Sequence, residues 1–219
     1  MRADWYFDFI SPFAFLQLPR VLALRARVEI VPVPIVFGAV LAHHGQLGPA
    51  EIAAKRAFTY RYVQWQADRA GIALRFPPAH PFNPLAALRL CVAAGGGWDA
   101  VSRIFAHFWR DGASGVDAGE LAEVAQVIGV ADAAAAIASD AVKATLRENT
   151  GRALAAGVFG VWSWRDRATA TSSQPAAAER IVMVLPVEVR GGDRTAAWIR
   201  LGAMDFLAAG LRGHADLKV

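Results

Sequence analysis

The segment "YFDFISPFAF", residues 6 to 15, holds the groups best placed to do chemistry: the Asp8 carboxyl, the Ser11 hydroxyl and the N–H groups that follow Pro12. Trp5, Phe7 and Phe9 alternate with Tyr6, Asp8 and Ile10, and this aromatic-rich period of two predicts a strand over 4–10. Ser11-Pro12 reads as a helix N-cap followed by the first helical position. A serine oxygen accepts from the first turn there, and proline lacks only an N–H that would have no partner. Phe13, Leu16, Arg20 and Leu24 then recur at helical spacing, with Leu18, Val21 and Leu22 widening the apolar face. A strand-to-helix corner aims its first N–H groups at whatever occupies it, which suits an anion. Asp8 falls on the strand face opposite the aromatic one, beside the corner, and takes no assigned role.

The elements that must position this corner follow from pattern. "VEIVPVPIV" (28–36) is β-branched and punctuated by proline, as a strand near a sheet edge is. Strand, helix and strand in sequence predict a parallel β-α-β unit. Helices are then expected over about 49–70, stopped by Gly71, and from about Pro84 into Gly95-Gly96-Gly97. Further helical spacings run through Trp98, Val101, Phe105 and Phe108 and through Leu121, Val124 and Ile128, and another helix is expected over about 141–156. The glycine triplet follows no strand, so it reads as a helix stop and not a phosphate loop. From Trp162 the texture changes: "WSWRDRATATSSQPAAAER" reads as an exposed, mobile loop, "IVMVLPVEV" as a late strand and 196–211 as a last helix.

Composition narrows the chemistry. Cys91 is the single cysteine among 219 residues, so the chain can form neither an internal disulfide nor a CxxC pair. Thiol–disulfide exchange by this chain alone is thereby excluded. The five histidines are scattered, and no metal site is expected. The net charge of +4 is spread along the chain without a nucleic-acid motif, and such a field favours a small anionic ligand. No apolar run reaches membrane-span length and no signal-peptide pattern opens the sequence, so a soluble, cytoplasmic protein without membrane or nucleic-acid partners is expected.

"YFDFISPFAFL" resembles the signature of the 2-hydroxychromene-2-carboxylate isomerase family, a strand ending in FDF-x-SP plus an aromatic. That family is related to kappa-class glutathione transferases and to the disulfide-oxidoreductase branch of the thioredoxin superfamily. The superfamily places its redox CxxC at the corner after the first strand. Here Ser11-Pro12-Phe13-Ala14 stands there, with serine and alanine in place of the two cysteines. The likeness continues through "HHGQLGPAEIAAKR", "FPPAHPFNPLAALRL" and "GVFGV" at 157–161, about three quarters of the chain.

The resemblance implies an α/β, thioredoxin-like fold made of residues 1–40 and 141–219, with a helical domain over 41–140 inserted. It implies glutathione as cofactor, a small aromatic substrate from aromatic-compound catabolism, and the homodimer that relatives often form. Reversible addition of the thiol to a conjugated carbon would turn a double bond into a rotatable single bond. Ser11 would be the catalytic residue and would also bind glutathione, by donating to its thiolate; no histidine is recognisable as a base for a serine nucleophile. Gln46 in "GQLGP" and the backbone of Val161 would contact glutathione, and Asn83 in "PFNPL" the substrate. The bland alternatives are a surface turn for Gln46, a cap or turn for Asn83, exposed helix positions for Lys55 and Arg56, and core filling for Trp65, Trp98 and Trp109. The family's pattern breaks at Trp162, where relatives carry a cis-proline, so 162–219 is an atypical tail. Gly191-Gly192-Asp193-Arg194 carries the letters of the family's G-x-D-R motif, but farther downstream. Two rival functions stay open: a kappa-like transferase that releases the conjugate, and a non-catalytic thioredoxin-like binding protein with an impaired glutathione site.

Overall fold

The computed structural model describes residues 2–161 and the backbone of 164–166, all within one compact unit of the chain. β1 (Arg2–Phe7) leads through a tight turn into α1 (Pro12–Leu24), and β2 (Glu29–Pro34) returns parallel to β1. The helices α2 (Phe37–His43), α3 (Ala53–Ala70), α4 (Leu85–Ala93), α5 (Trp98–Trp109), α6 (Ala122–Val127), α7 (Ala133–Ala138) and α8 (Asp140–Ala155) follow. β3 (Trp164–Asp166) then pairs antiparallel with β1, giving the strand order β2-β1-β3 among the described residues.

Both faces of β1 are buried. Trp5 and Phe7 join the larger apolar cluster, which takes in Phe15 and Leu18 from α1, Val63 from α3, Leu88 from α4 and Phe105 from α5. Tyr6 joins a smaller cluster with Val33, Ile35, Val40, Ala153, Val158 and Val161. Ile35 N–H donates to Phe7 O at 2.9 Å, so by the period of two the nitrogens of Pro34 and Pro32 face away from β1. The prolines therefore cost no ladder bond, and β2 lies at the edge of the described sheet, as expected. α3 stops at Gly71, whose φ of +64° lets Ile72 N–H reach back to Ala67 O at 2.9 Å.

Four expectations shift. β1 ends at Phe7 and not at Ile10, because the Asp8 carboxyl captures Ile10 N–H and turns the chain. Phe9 still packs edge-on to Phe7 with ring centroids 5.3 Å apart, so the aromatic face outlasts the strand. α3 begins at Ala53 and not near Pro49, since Gly48 N–H is taken by the Glu51 carboxylate in a separate turn. The short helices α2 and α7 carry too few turns to show a period. Residues 164–166, expected in an exposed loop, are strand backbone paired with Ala3–Trp5, a three-residue segment too brief for alternation to reveal. Trp162 and Ser163, residues 167–180 of the expected loop, the "IVMVLPVEV" strand, the helix over 196–211 and Gly191–Arg194 lie outside the described residues.

Candidate active site

The turn joining β1 to α1 is fastened at every polar backbone group that matters for its shape. The Phe9–Ile10 peptide is held at its carbonyl by the Trp109 indole, with Nε1–H donating at 2.8 Å, and at its N–H by Asp8 Oδ1 at 3.1 Å. The Ile10–Ser11 peptide is held at its carbonyl by His80 Nε2 at 2.9 Å, and at its N–H by Asp8 O at 3.1 Å. The other Asp8 oxygen accepts from Phe37 N–H at 2.8 Å, which ties the start of α2 to the same turn.

Ser11 then sits in extended backbone (φ −92°, ψ 111°) as the N-cap of α1, only 7% exposed. Its Oγ accepts from Ala14 N–H at 3.2 Å, and its carbonyl accepts from Phe15 N–H at 3.3 Å. Because the cap bond uses an oxygen lone pair, the hydroxyl proton stays free to be donated. Pro12 has no N–H, and Phe13 N–H has no acceptor among the described residues. Two donors thus converge on the positive end of a 13-residue helix. The Phe13 ring beside them lies 6.1 Å from Tyr62, which stacks on Phe58 and Trp65 along α3.

Electrostatics separate the titratable groups near the turn. Burial pushes the Asp8 carboxyl up to about 7, outweighing the N–H donors of Phe37, Ile10 and Phe9 that favour its charged form. Burial also lowers the His80 pKa; the Ile10 carbonyl opposes the shift and Arg56 adds to it, so the ring is neutral at neutral pH. Burial raises the Tyr60 hydroxyl. Cys91 is wholly buried in α4, its thiol pushed up to about 12, which makes it inert as a nucleophile.

The other expected site residues are scattered. Gln46 is exposed beyond α2, its N–H bound to Leu41 O at 2.9 Å. Asn83 is exposed, and its Oδ1 accepts from Leu85 N–H at 3.1 Å, opening α4. Val161 buries its side chain in the smaller cluster. No hydrogen bond among the described residues joins any of the three to Ser11. Lys55 and Arg56 are exposed, and Arg56 Nε donates to Ala50 O at 2.6 Å. Sequence reading missed His80 and undervalued Trp109. Both reach the corner from 70 or more residues away, and a lone histidine among prolines gives no pattern to find it by. His80 is not a base for Ser11, since its Nε2 carries the proton given to a carbonyl.

A parallel β1-α1-β2 unit, β3 antiparallel on the far side of β1 and a helical block between them define a thioredoxin-like fold with its corner at the start of α1. Within that class the chain belongs to the DSBA-like thioredoxin domain family, which residues 2–162 match. Among solved structures it is similar to 2-hydroxychromene-2-carboxylate isomerase, with a TM-score of 0.65, 22% identity and 100% of both chains covered. It is also similar to the cytosolic disulfide reductase DsbM from Pseudomonas aeruginosa with GSH, at TM-score 0.55 and 14% identity over 77% of this chain and 87% of that one. A probable DsbA oxidoreductase from Streptomyces coelicolor follows at TM-score 0.57 and 20% identity, over 75% and 79%. At these identities the likeness is one of fold. No match was found among curated proteins.

Proposed function

We propose that this chain is a glutathione-dependent isomerase of the 2-hydroxychromene-2-carboxylate type. The observation that carries the reading is the Ser11 hydroxyl, which caps α1 through a lone pair and keeps its proton for a ligand. The corner fits a thiolate: it offers the Ser11 O–H and Phe13 N–H at a helix N-terminus, and Ala14 stands where a second cysteine would attack in a redox relative. Bound glutathione would supply a thiol able to add reversibly to a conjugated carbon and leave again. The chain's part is electrostatic. Two donors at about 0.5–1.5 kcal/mol each lower a thiol pKa by roughly one to two units, which raises the anion from a few per cent to a substantial fraction near neutral pH. Ser11 gives up no proton in this reading and needs no base. The single buried cysteine separates the chain from the disulfide chemistry of its redox neighbours.

Incubation with glutathione and a 2-hydroxychromene-2-carboxylate tests this. Expected is isomerised product with glutathione regenerated. Accumulation of a glutathione conjugate would instead assign a transferase, and no glutathione binding at millimolar concentration would leave a binding module.

A further inference from the structure

His80 meets the corner on a backbone oxygen. A carbonyl only accepts, so the contact of 2.9 Å between Nε2 and Ile10 O fixes the ring proton on Nε2. Nδ1 of the neutral ring is then a lone pair, and it faces the Tyr60 hydroxyl at 2.9 Å. That hydroxyl also lies 2.6 Å from the His80 carbonyl oxygen, so its one proton is shared, in a three-centre bond, between the ring and the backbone of His80. Tyr60, Trp109 and Phe82 surround the imidazole with ring centroids 5.5, 5.2 and 6.1 Å away. Three rings and the Tyr60 hydroxyl fix the ring so that its Nε2–H meets the Ile10–Ser11 peptide.

We propose that His80, oriented by Tyr60, is a positioning residue for the corner: its Nε2–H locks the Ile10–Ser11 peptide and so aims the Ser11 side chain and the first turn of α1. The role rests on the reading of the corner as a thiolate site. A peptide is a rigid plane, and this one is pinned at both ends, by His80 on the carbonyl and Asp8 O on the N–H. The preceding plane is pinned in the same way by Trp109 and the Asp8 carboxyl. Ser11 thus leaves two consecutive fixed planes with its direction set. Donation to Ile10 O also polarises that peptide, making its N–H end more positive beside the cap. Both carbonyl ends are held from outside the β-α-β unit, by side chains of the helical segment, and both N–H ends from within it, by Asp8.

The test needs no glutathione. Ser11→Cys places a thiol at the cap, and its alkylation by iodoacetamide against pH reads the field and geometry there, while buried Cys91 stays silent. In that background His80→Gln keeps an N–H donor at the Nε2 position and should leave the titration midpoint nearly unchanged. His80→Phe keeps the ring packing but loses the donor, and should raise the midpoint by about one unit, a tenfold loss of thiolate below it. Tyr60→Phe removes only the orienting hydroxyl and should raise the midpoint by a smaller amount. It keeps the test decisive where a His80 variant fails to fold. A merely packed imidazole predicts the reverse order, with His80→Phe silent and His80→Gln impaired. That order, or an unmoved midpoint in both His80→Phe and Tyr60→Phe, overturns the proposal. The expected order in a protein that does not bind glutathione would remove the glutathione reading and leave the positioning role standing. Normal glutathione binding with an unmoved series would remove the positioning role alone.

Discussion

Ser11 Oγ caps Ala14 N–H through a lone pair, and the proposed function gives its proton to a ligand. Ser11→Ala therefore separates into two measurable losses. Denaturant unfolding should show the missing cap as about 0.5–2 kcal/mol of stability, with the fold retained. The ultraviolet band of bound thiolate should titrate at higher pH than in the parent. Asp8 makes a second prediction at this scale. Its folded pKa of about 7 lies above the ordinary 3.8, so between these values the native state holds a proton that the unfolded chain has lost. Its stabilising contribution is full below the ordinary value and is lost as pH rises through about 7. Thermal midpoints taken across that window should fall more steeply for the parent than for Asp8→Asn; parallel profiles would contradict the assignment. The serine was legible in the sequence because capping is a local contract over three residues. The grip of Asp8 on Phe37 N–H spans 29 residues and leaves no local trace.

The connection between β1 and α1 behaves as a small element of its own, braced by α5 and by the segment before α4. Trp109 fills the core as expected of its position on the apolar face of α5, yet its indole also satisfies the carbonyl of Phe9. Trp109→Phe keeps most of the ring contacts and removes only that donor, stranding a backbone oxygen. Urea unfolding should report a loss of about 1–3 kcal/mol. A value near zero would mean that water replaces the indole and that the turn does not depend on it. Strong periodicity made α5 readable, and the Ser-Pro cap fixed the start of α1. The end of β1 was misplaced because burial of Phe9 continues the strand's pattern after its hydrogen bonding has stopped. Burial and strand pairing usually coincide, and here they part for two residues.

Across the whole chain, the β-α-β opening and the helical run were legible, since each depends on patterns longer than a turn. The convergence of Asp8, His80 and Trp109 was not, because tertiary contact joins them across 100 positions without any shared spacing. The family pattern that breaks at Trp162 yields a prediction at this scale. The resemblance to the isomerase family implies backbone polar groups presented to glutathione just before a cis-proline, in the manner of an added strand. Replacing everything from Trp162 onward with a family-typical "PTF" strand, hairpin and G-x-D-R helix should tighten glutathione binding by about one order of magnitude, the worth of two weak hydrogen bonds. Equal affinity in calorimetry would show that the natural tail completes the site by another route. The proposed function requires the corner to hold glutathione as its anion. Its most direct test is the ultraviolet thiolate absorbance of the protein–glutathione complex, titrated from about pH 5 to pH 9. A midpoint roughly one to two units below the free thiol, moved upward by Ser11→Ala, is the predicted result. A midpoint equal to that of free glutathione, in protein saturated with it, would mean that the corner does not stabilise the thiolate.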